Sequence, residues 1–132
     1  METRDKFLNE FRGEMLGTIN FQSSAEEFFQ NQTLRPILKL QNDLFIEVFK
    51  NYISKSKTDF FNYTIDKKLQ FIENSIQRDI KFRNSLKGMV IGLFTIEEYS
   101  RYILNSSSLN KRMMSMLIER LKNQVQLFEL QL

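Results

Sequence analysis

Four glycines and one proline are all that punctuate a chain of 132 residues. An all-β domain reverses direction often, and its tight turns call for Gly, Pro and Asn-Gly in numbers. So few breakers predict a chain that runs in helices. The apolar share of 42%, with 13 Phe, supplies material for a core. A single domain of this size buries about two thirds of its unfolded surface. Charged residues reach 27% without a long polar tract, which argues against intrinsic disorder.

Two residue types are missing altogether. Without Cys there is no disulfide, no thiolate nucleophile and no thiolate metal ligand. Without His the commonest general base and the commonest transition-metal ligand are gone. No phosphate-cradling loop of the G-x-x-x-x-G-K or G-x-G-x-x-G kind occurs, and no nucleophile elbow or EF-hand loop. No catalytic residue, metal or cofactor is therefore expected. The longest apolar run, Met89 to Phe94, is far short of the roughly 20 residues a membrane span needs. No apolar segment follows Met1-Glu-Thr-Arg-Asp-Lys, so a cytoplasmic chain without membrane contact is expected.

Apolar spacing lays out the helices. Phe7, Leu8, Phe11, Met15 and Ile19 fall at helical intervals, with Gly13 and Gly17 weakening the segment. Residues 1–22 thus read as an N-terminal helix loosely docked on a single domain spanning 1–132. Ser24 and Glu27 form a capping-box pattern before Phe28 and Phe29. Thr33, with Pro36 in a first turn, opens an amphipathic helix of about 20 residues. Its stripe runs through Leu34, Ile37, Leu38, Leu44, Phe45, Val48, Phe49 and Tyr52. Thr64 starts the next, with Ile65, Leu69, Ile72, Ile76 and Ile80 on one face. The phase then shifts to Phe82, Leu86, Met89 and Leu93, which predicts a kink or break near Asp79–Ser85, with Ser85 as a candidate cap. Thr95 and Glu98 repeat the capping-box pattern, and a last helix runs from Leu109 to the C-terminus. The expected fold is all-α, one compact bundle of four to six helices.

Two clusters stand out as candidate sites. Arg83 and Lys87 lie in line with an apolar stripe, and Asp79 sits one turn before Arg83. The plain reading is an Asp79–Arg83 structural pair, or a kink that leads both cations into solvent. The functional reading is a pocket for an anion or small ligand, with Tyr99, Tyr102, Asn110 and Arg112 as further donors. Gly88 and Gly92 at i, i+4 read as a close helix contact. The second cluster is the wide apolar face of the last helix: Met113, Met114, Leu117, Ile118, Leu121, Val125 and Phe128. A helix apolar over so much of its circumference packs centrally or against another subunit.

Charge adds a third possibility. Residues 1–66 hold 8 Lys/Arg against 10 Asp/Glu, and residues 67–132 hold 11 against 6. A basic second half admits RNA or DNA as a partner, although nucleic-acid domains usually cluster their cations more densely. The functional expectation is a non-enzymatic interaction module that forms a homo-oligomer, preferably a dimer, through its last helix. An anion- or ligand-binding bundle, even a weak enzyme, is the alternative, and nucleic-acid binding the second.

The strings LRPILKLQNDLFIEVFK (34–50), FRNSLKGMVIGLFTIEEY (82–99) and LNKRMMSMLIERL (109–121) resemble a family of small helical proteins from Bacteroidetes bacteria. Some members carry a glyoxalase label. The resemblance implies shared domain identity and brings no catalytic residue. The label itself conflicts with this chain, because metal-dependent glyoxalases use His and Glu ligands on strand-rich units, and His is absent here.

Overall fold

The computed structural model describes residues 2–13 and 24–129. All regular structure among them is helical, and no strand is present. The α-helices are α1 (Glu2–Arg12), α2 (Ala25–Phe29), α3 (Arg35–Leu40), α4 (Asn42–Lys55), α5 (Ile65–Arg78), α6 (Ile80–Ile91), α7 (Ile96–Tyr102) and α8 (Ser106–Lys122). A π-helical turn, Gln30–Leu34, joins α2 to α3 without a break. Single 3₁₀ turns stand at Phe60–Asn62 and Val125–Leu127. Counting α2, the π turn and α3 as one, the described residues form seven helices, slightly more than the four to six expected.

The difference lies in where helices stop. Gln41, at φ −89° and ψ 2°, interrupts what was expected to be one helix from Thr33 to near Lys57. Asp79 adopts extended backbone and separates α5 from α6, so the expected break is real and falls at its first residue. Asp79 also caps α6 by accepting from the Phe82 amide at 3.1 Å, a role expected of Ser85, which instead lies exposed within the helix. The cap explains the phase shift: Ile72 and Ile76 are fully buried on α5, Ile80 is 62% exposed, and burial resumes with Leu86 and Val90.

Other start signals act as written. Ser24 accepts from Glu27 N at 3.0 Å, Thr64 accepts from Lys67 N at 3.2 Å, and Thr95 with Glu98 closes both bonds of a capping box. Gly13, at φ +80°, ends α1 at Arg12, where a β-carbon would be strained. Met15, Gly17 and Ile19 lie outside the described residues.

Helix α8 runs through the middle of the assembly and packs on α5, α6 and the π turn. Leu109, Met113, Leu117 and Leu121 on it are almost wholly buried. Several phenylalanines gather around Phe49. Phe49 meets Tyr52, Phe71, Phe82 and Phe128 with ring centroids 5.1 to 6.2 Å apart. Phe128, beyond the last turn, folds back to fill this cluster and is 1% exposed. Each such ring is worth about 1.5–3 kcal/mol on burial. Leu44, placed in the core stripe by spacing, is 50% exposed, because the break at Gln41 sets α4 in a different phase from α3. Gly88 faces open space, so the close helix contact expected there is not made.

Candidate anion-binding groove

The seven polar residues singled out by spacing do not form one site. Asp79 accepts from the Tyr52 hydroxyl at 2.9 Å, while Arg83 donates to the Gln77 carbonyl at 3.0 Å, so the expected Asp79–Arg83 pair is not made. The Phe82 amide, together with the Tyr52 hydroxyl, holds Asp79 below the usual carboxylate range. Arg83, Lys87 and Asn110 do share a cleft of about 470 Å³, on one flank of α8. Glu73 and Glu119 line it too, Glu73 being paired with Lys122. Tyr102 is buried with its hydroxyl on Asn110 at 2.7 Å, whereas Tyr99 is 47% exposed on the outer side of α7. Neither tyrosine lines the cleft.

The expected self-association face is occupied by the chain itself. Met113, Met114, Leu117, Ile118, Leu121 and Phe128 all lie between 0% and 7% exposed, and Val125 packs half-buried against them. The breadth of the apolar stripe reflects a central helix surrounded by its own neighbours, not a surface open to a second copy.

A second, larger cationic groove lies on the other flank of α8 and shares Lys111, Ser115 and Glu119 with the first. There a groove of about 830 Å³ opens between α8 and the run from the π turn into α3. Arg35, Lys111, Arg112 and Arg120 line it, with Glu119 the only acid. Leu38 and Met116 give it an apolar floor, and Gln30, Ser115, Asn123 and Gln124 add neutral polar groups. Arg112 is matched by Glu26 at 3.2 Å. Among the described residues, no carboxylate comes within ion-pair distance of Arg35, Lys111 or Arg120. Burial and the nearby Arg35 charge both pull the Arg120 pKa below that of a free guanidinium. Two arginines held near each other without an acid are electrostatically costly, and an incoming anion would relieve that cost.

The neutral partners hold these cations in place. Arg35 donates through Nε to Asn31 Oδ1 at 2.8 Å and lines the groove. Arg120 reaches Asn42 Oδ1 at a long 3.5 Å. Asn42 and Gln124 exchange two amide bonds of 2.8 Å, and Gln124 also donates to the Arg120 carbonyl, so this end of the groove is braced.

The π turn is the frame on which the groove is built. Its widening has a local cause: Pro36 has no N–H to give the Gln32 carbonyl, and its ring would crowd that carbonyl in an ordinary α-helix. The chain answers with a wider turn, in which the Arg35 amide reaches back to the Gln30 carbonyl. Every polar side chain of the turn is then bonded to a charged residue. Gln30 accepts from Arg112 at 2.9 Å, Asn31 from Arg35, and Gln32 from Arg101 at 3.1 Å, while Thr33 donates to Glu98 at 2.5 Å. Thr33, expected as a cap, is instead fully buried in mid-helix.

Glu98 leads from the turn to α1. It accepts from Arg12 through both oxygens, at 2.5 and 2.7 Å, and both side chains are 5% exposed. Burial works to raise the Glu98 pKa, but donors from Arg12, Thr33 and Thr95 outweigh it and hold the group below 4.5. Arg4 donates to the carbonyls of Gly92 and Phe94 at 2.8 Å, Arg12 to that of Leu93 at 3.0 Å, and Asp5 accepts from the Ile96 amide. The cations of α1 thus cap the end of α6 and its acid caps the start of α7. That is closer docking than the sequence suggested. Spacing showed the Thr95–Glu98 box, but nothing near Arg12 pointed to a partner so distant in sequence.

No group of three or more acidic residues able to hold a metal ion occurs among the described residues, and no helix there is long and apolar enough to cross a membrane. Comparison with protein families, curated proteins and solved structures finds no match to this chain.

Proposed function

We propose that this domain binds a small organic anion, a phosphate ester or polycarboxylate, in the groove between the π turn, α3 and α8. The observation that carries the reading is the presence of Arg35, Lys111 and Arg120 around one groove with, among the described residues, no carboxylate paired to any of them. Guanidinium groups bind phosphate and carboxylate oxygens through paired, planar N–H donors. The apolar floor of Leu38 and Met116 accommodates a carbon skeleton attached to the charged group. This takes up the anion-binding alternative, in place of the interaction module expected first, and moves it from Arg83 and Lys87 to the other flank of α8. No aromatic ring lines the groove, so bases would find no stacking platform, which disfavours single-stranded nucleic acid.

The test is a titration of the purified protein with inorganic pyrophosphate and with citrate, followed by calorimetry and thermal unfolding. Binding is expected for the wild type, and a ligand at about 100 times its Kd would add roughly 2.7 kcal/mol of stability. Arg35→Met/Arg120→Met is expected to abolish both signals. Equal binding by wild type and double variant would place the ligand elsewhere and sink the reading.

A second reading is contact with another copy of the chain, and one observation favours it. Ile96, Tyr99 and Ile103 lie at i, i+3 and i+7 around α7 and its exit, and are 43–55% exposed; Leu104 beside them is 85% exposed. Native mass spectrometry of the wild type and of Ile103→Glu/Leu104→Glu distinguishes the cases. A dimer lost in the variant supports this face, and a monomer in both rules it out.

A further inference from the structure

From the bonding around the π turn we infer that α1 regulates the groove: its docking through Arg12 and Glu98 sets anion affinity at Arg35. The inference rests on the anion-binding reading of the groove and adds a control element to it.

The physical link is short and each step is a hydrogen bond. Arg12 holds Glu98, and Glu98 holds the Thr33 hydroxyl, all within the interior. Two residues back in the same turn, Asn31 holds the Arg35 guanidinium, and Gln30 holds Arg112. The turn therefore joins α1 and α7 on one side to the groove on the other. Pro36 rules against an α register in this turn, so the alternative state is α1 undocked. Without Arg12, Glu98 keeps only Thr33 and Thr95 as donors, and the turn that presents Asn31 and Gln30 to Arg35 and Arg112 loses its brace. Docked and undocked α1 are the two arrangements that both sites bias.

Helix α1 is suited to the role because its hold is mainly polar. Arg4, Asp5 and Arg12 make its long-range bonds, and among its described apolar side chains only Leu8 is buried; Phe7 and Phe11 are 59% and 58% exposed. Little apolar area is lost when it leaves, so its docking depends on these polar bonds, among which the Arg12–Glu98 pair is the most buried. Linkage makes the effect reciprocal: an anion bound at Arg35 tightens α1 as much as docked α1 tightens the anion.

The experiment uses the full chain with inorganic pyrophosphate as probe. Affinity is measured for wild type, Arg12→Gln and Thr33→Val, and amide hydrogen exchange is followed in residues 3–12 and 30–35 with and without pyrophosphate. Thr33→Val leaves the Arg12–Glu98 pair intact and interrupts only the link, so it serves if Arg12→Gln fails to fold. The expected result is about tenfold weaker pyrophosphate binding in each variant. Faster exchange across 30–35 should accompany it, and pyrophosphate should slow exchange in wild-type α1 but not in Thr33→Val. Wild-type affinity in both variants, with exchange in α1 indifferent to pyrophosphate, would overturn the coupling and leave the groove reading standing. No pyrophosphate binding by the wild type itself would overturn the groove reading, and the regulation with it.

Discussion

Arg12 grips Glu98, 86 residues further along, with both terminal nitrogens at 2.5 and 2.7 Å, and each side chain is 5% exposed. The pair closes the N-terminal helix onto the start of α7, and through Thr33 it reaches the π turn. Its geometry is good, yet Arg12 Nε finds no hydrogen-bond partner, so part of the desolvation cost stays uncompensated.

Breaking the pair from one side is expected to be costly. Arg12→Met leaves a buried carboxylate with Thr33 and Thr95 as its donors, and a loss of about 3 kcal/mol follows from comparable buried pairs. Urea unfolding of the two proteins measures it. A loss below about 0.5 kcal/mol would mean that the carboxylate simply rehydrates when α1 lifts.

The same pair sets an acid limit. Glu98 is held below 4.5 in the folded chain, so its contribution to stability is complete above the ordinary glutamate range. It is lost as pH falls through that range and on through the depressed folded value. Between pH 5 and pH 3 the wild type should therefore lose more stability than Arg12→Met. Parallel pH profiles for the two would contradict the assignment.

Arg120 supplies a prediction of the opposite sign. Burial and the Arg35 charge disfavour its charged form, so Arg120→Met should stabilise the ligand-free protein by a few tenths of a kcal/mol, up to about 1. The same substitution should remove the stabilisation brought by pyrophosphate. Thermal unfolding with and without the anion shows both effects, and a destabilised Arg120→Met would indicate that its aliphatic packing matters more than its charge.

Asp79 joins the break between α5 and α6 to the aromatic cluster. Asp79→Ala removes the α6 cap and the partner of Tyr52, and urea unfolding should find the variant less stable than wild type. Burial first, and Asp79 second, raise the Tyr52 pKa above 10.0, so an ultraviolet titration of the variant should find it lower though still raised. An unchanged tyrosine titration would show that the hydroxyl and the carboxylate do not interact in solution.

Phe128 tests how far the core extends. It lies beyond the last helical turn, yet it is 1% exposed with its ring 5.1 Å from that of Phe49. Phe128→Ala should cost about 3–5 kcal/mol, as for other buried phenylalanines. A loss near zero would mean that the cluster closes without it.

What was legible in the sequence was local. The scarcity of Gly and Pro, the caps at Ser24, Thr64 and Thr95, and the phase shift at Asp79 all act within one or two turns of the residue concerned. Hydrogen bonds to a helix's own first amides and the 100° step between side chains need no knowledge of the rest of the chain. The helical class and the break between α5 and α6 followed from them.

Tertiary structure decided everything that depends on which helix faces which. The apolar breadth of α8 is the same in sequence whether its neighbours are its own chain or a second copy, and only packing shows that its own helices cover it. Spacing placed Arg83 beside Asp79, but the extended backbone at Asp79 sends the two side chains to different partners. Arg35 and Arg120 are 85 positions apart and carry no shared motif, and they became a site because the run from the π turn into α3 lies across one groove from α8. Charges interact through space and not along the chain, so periodicity could not show that pair.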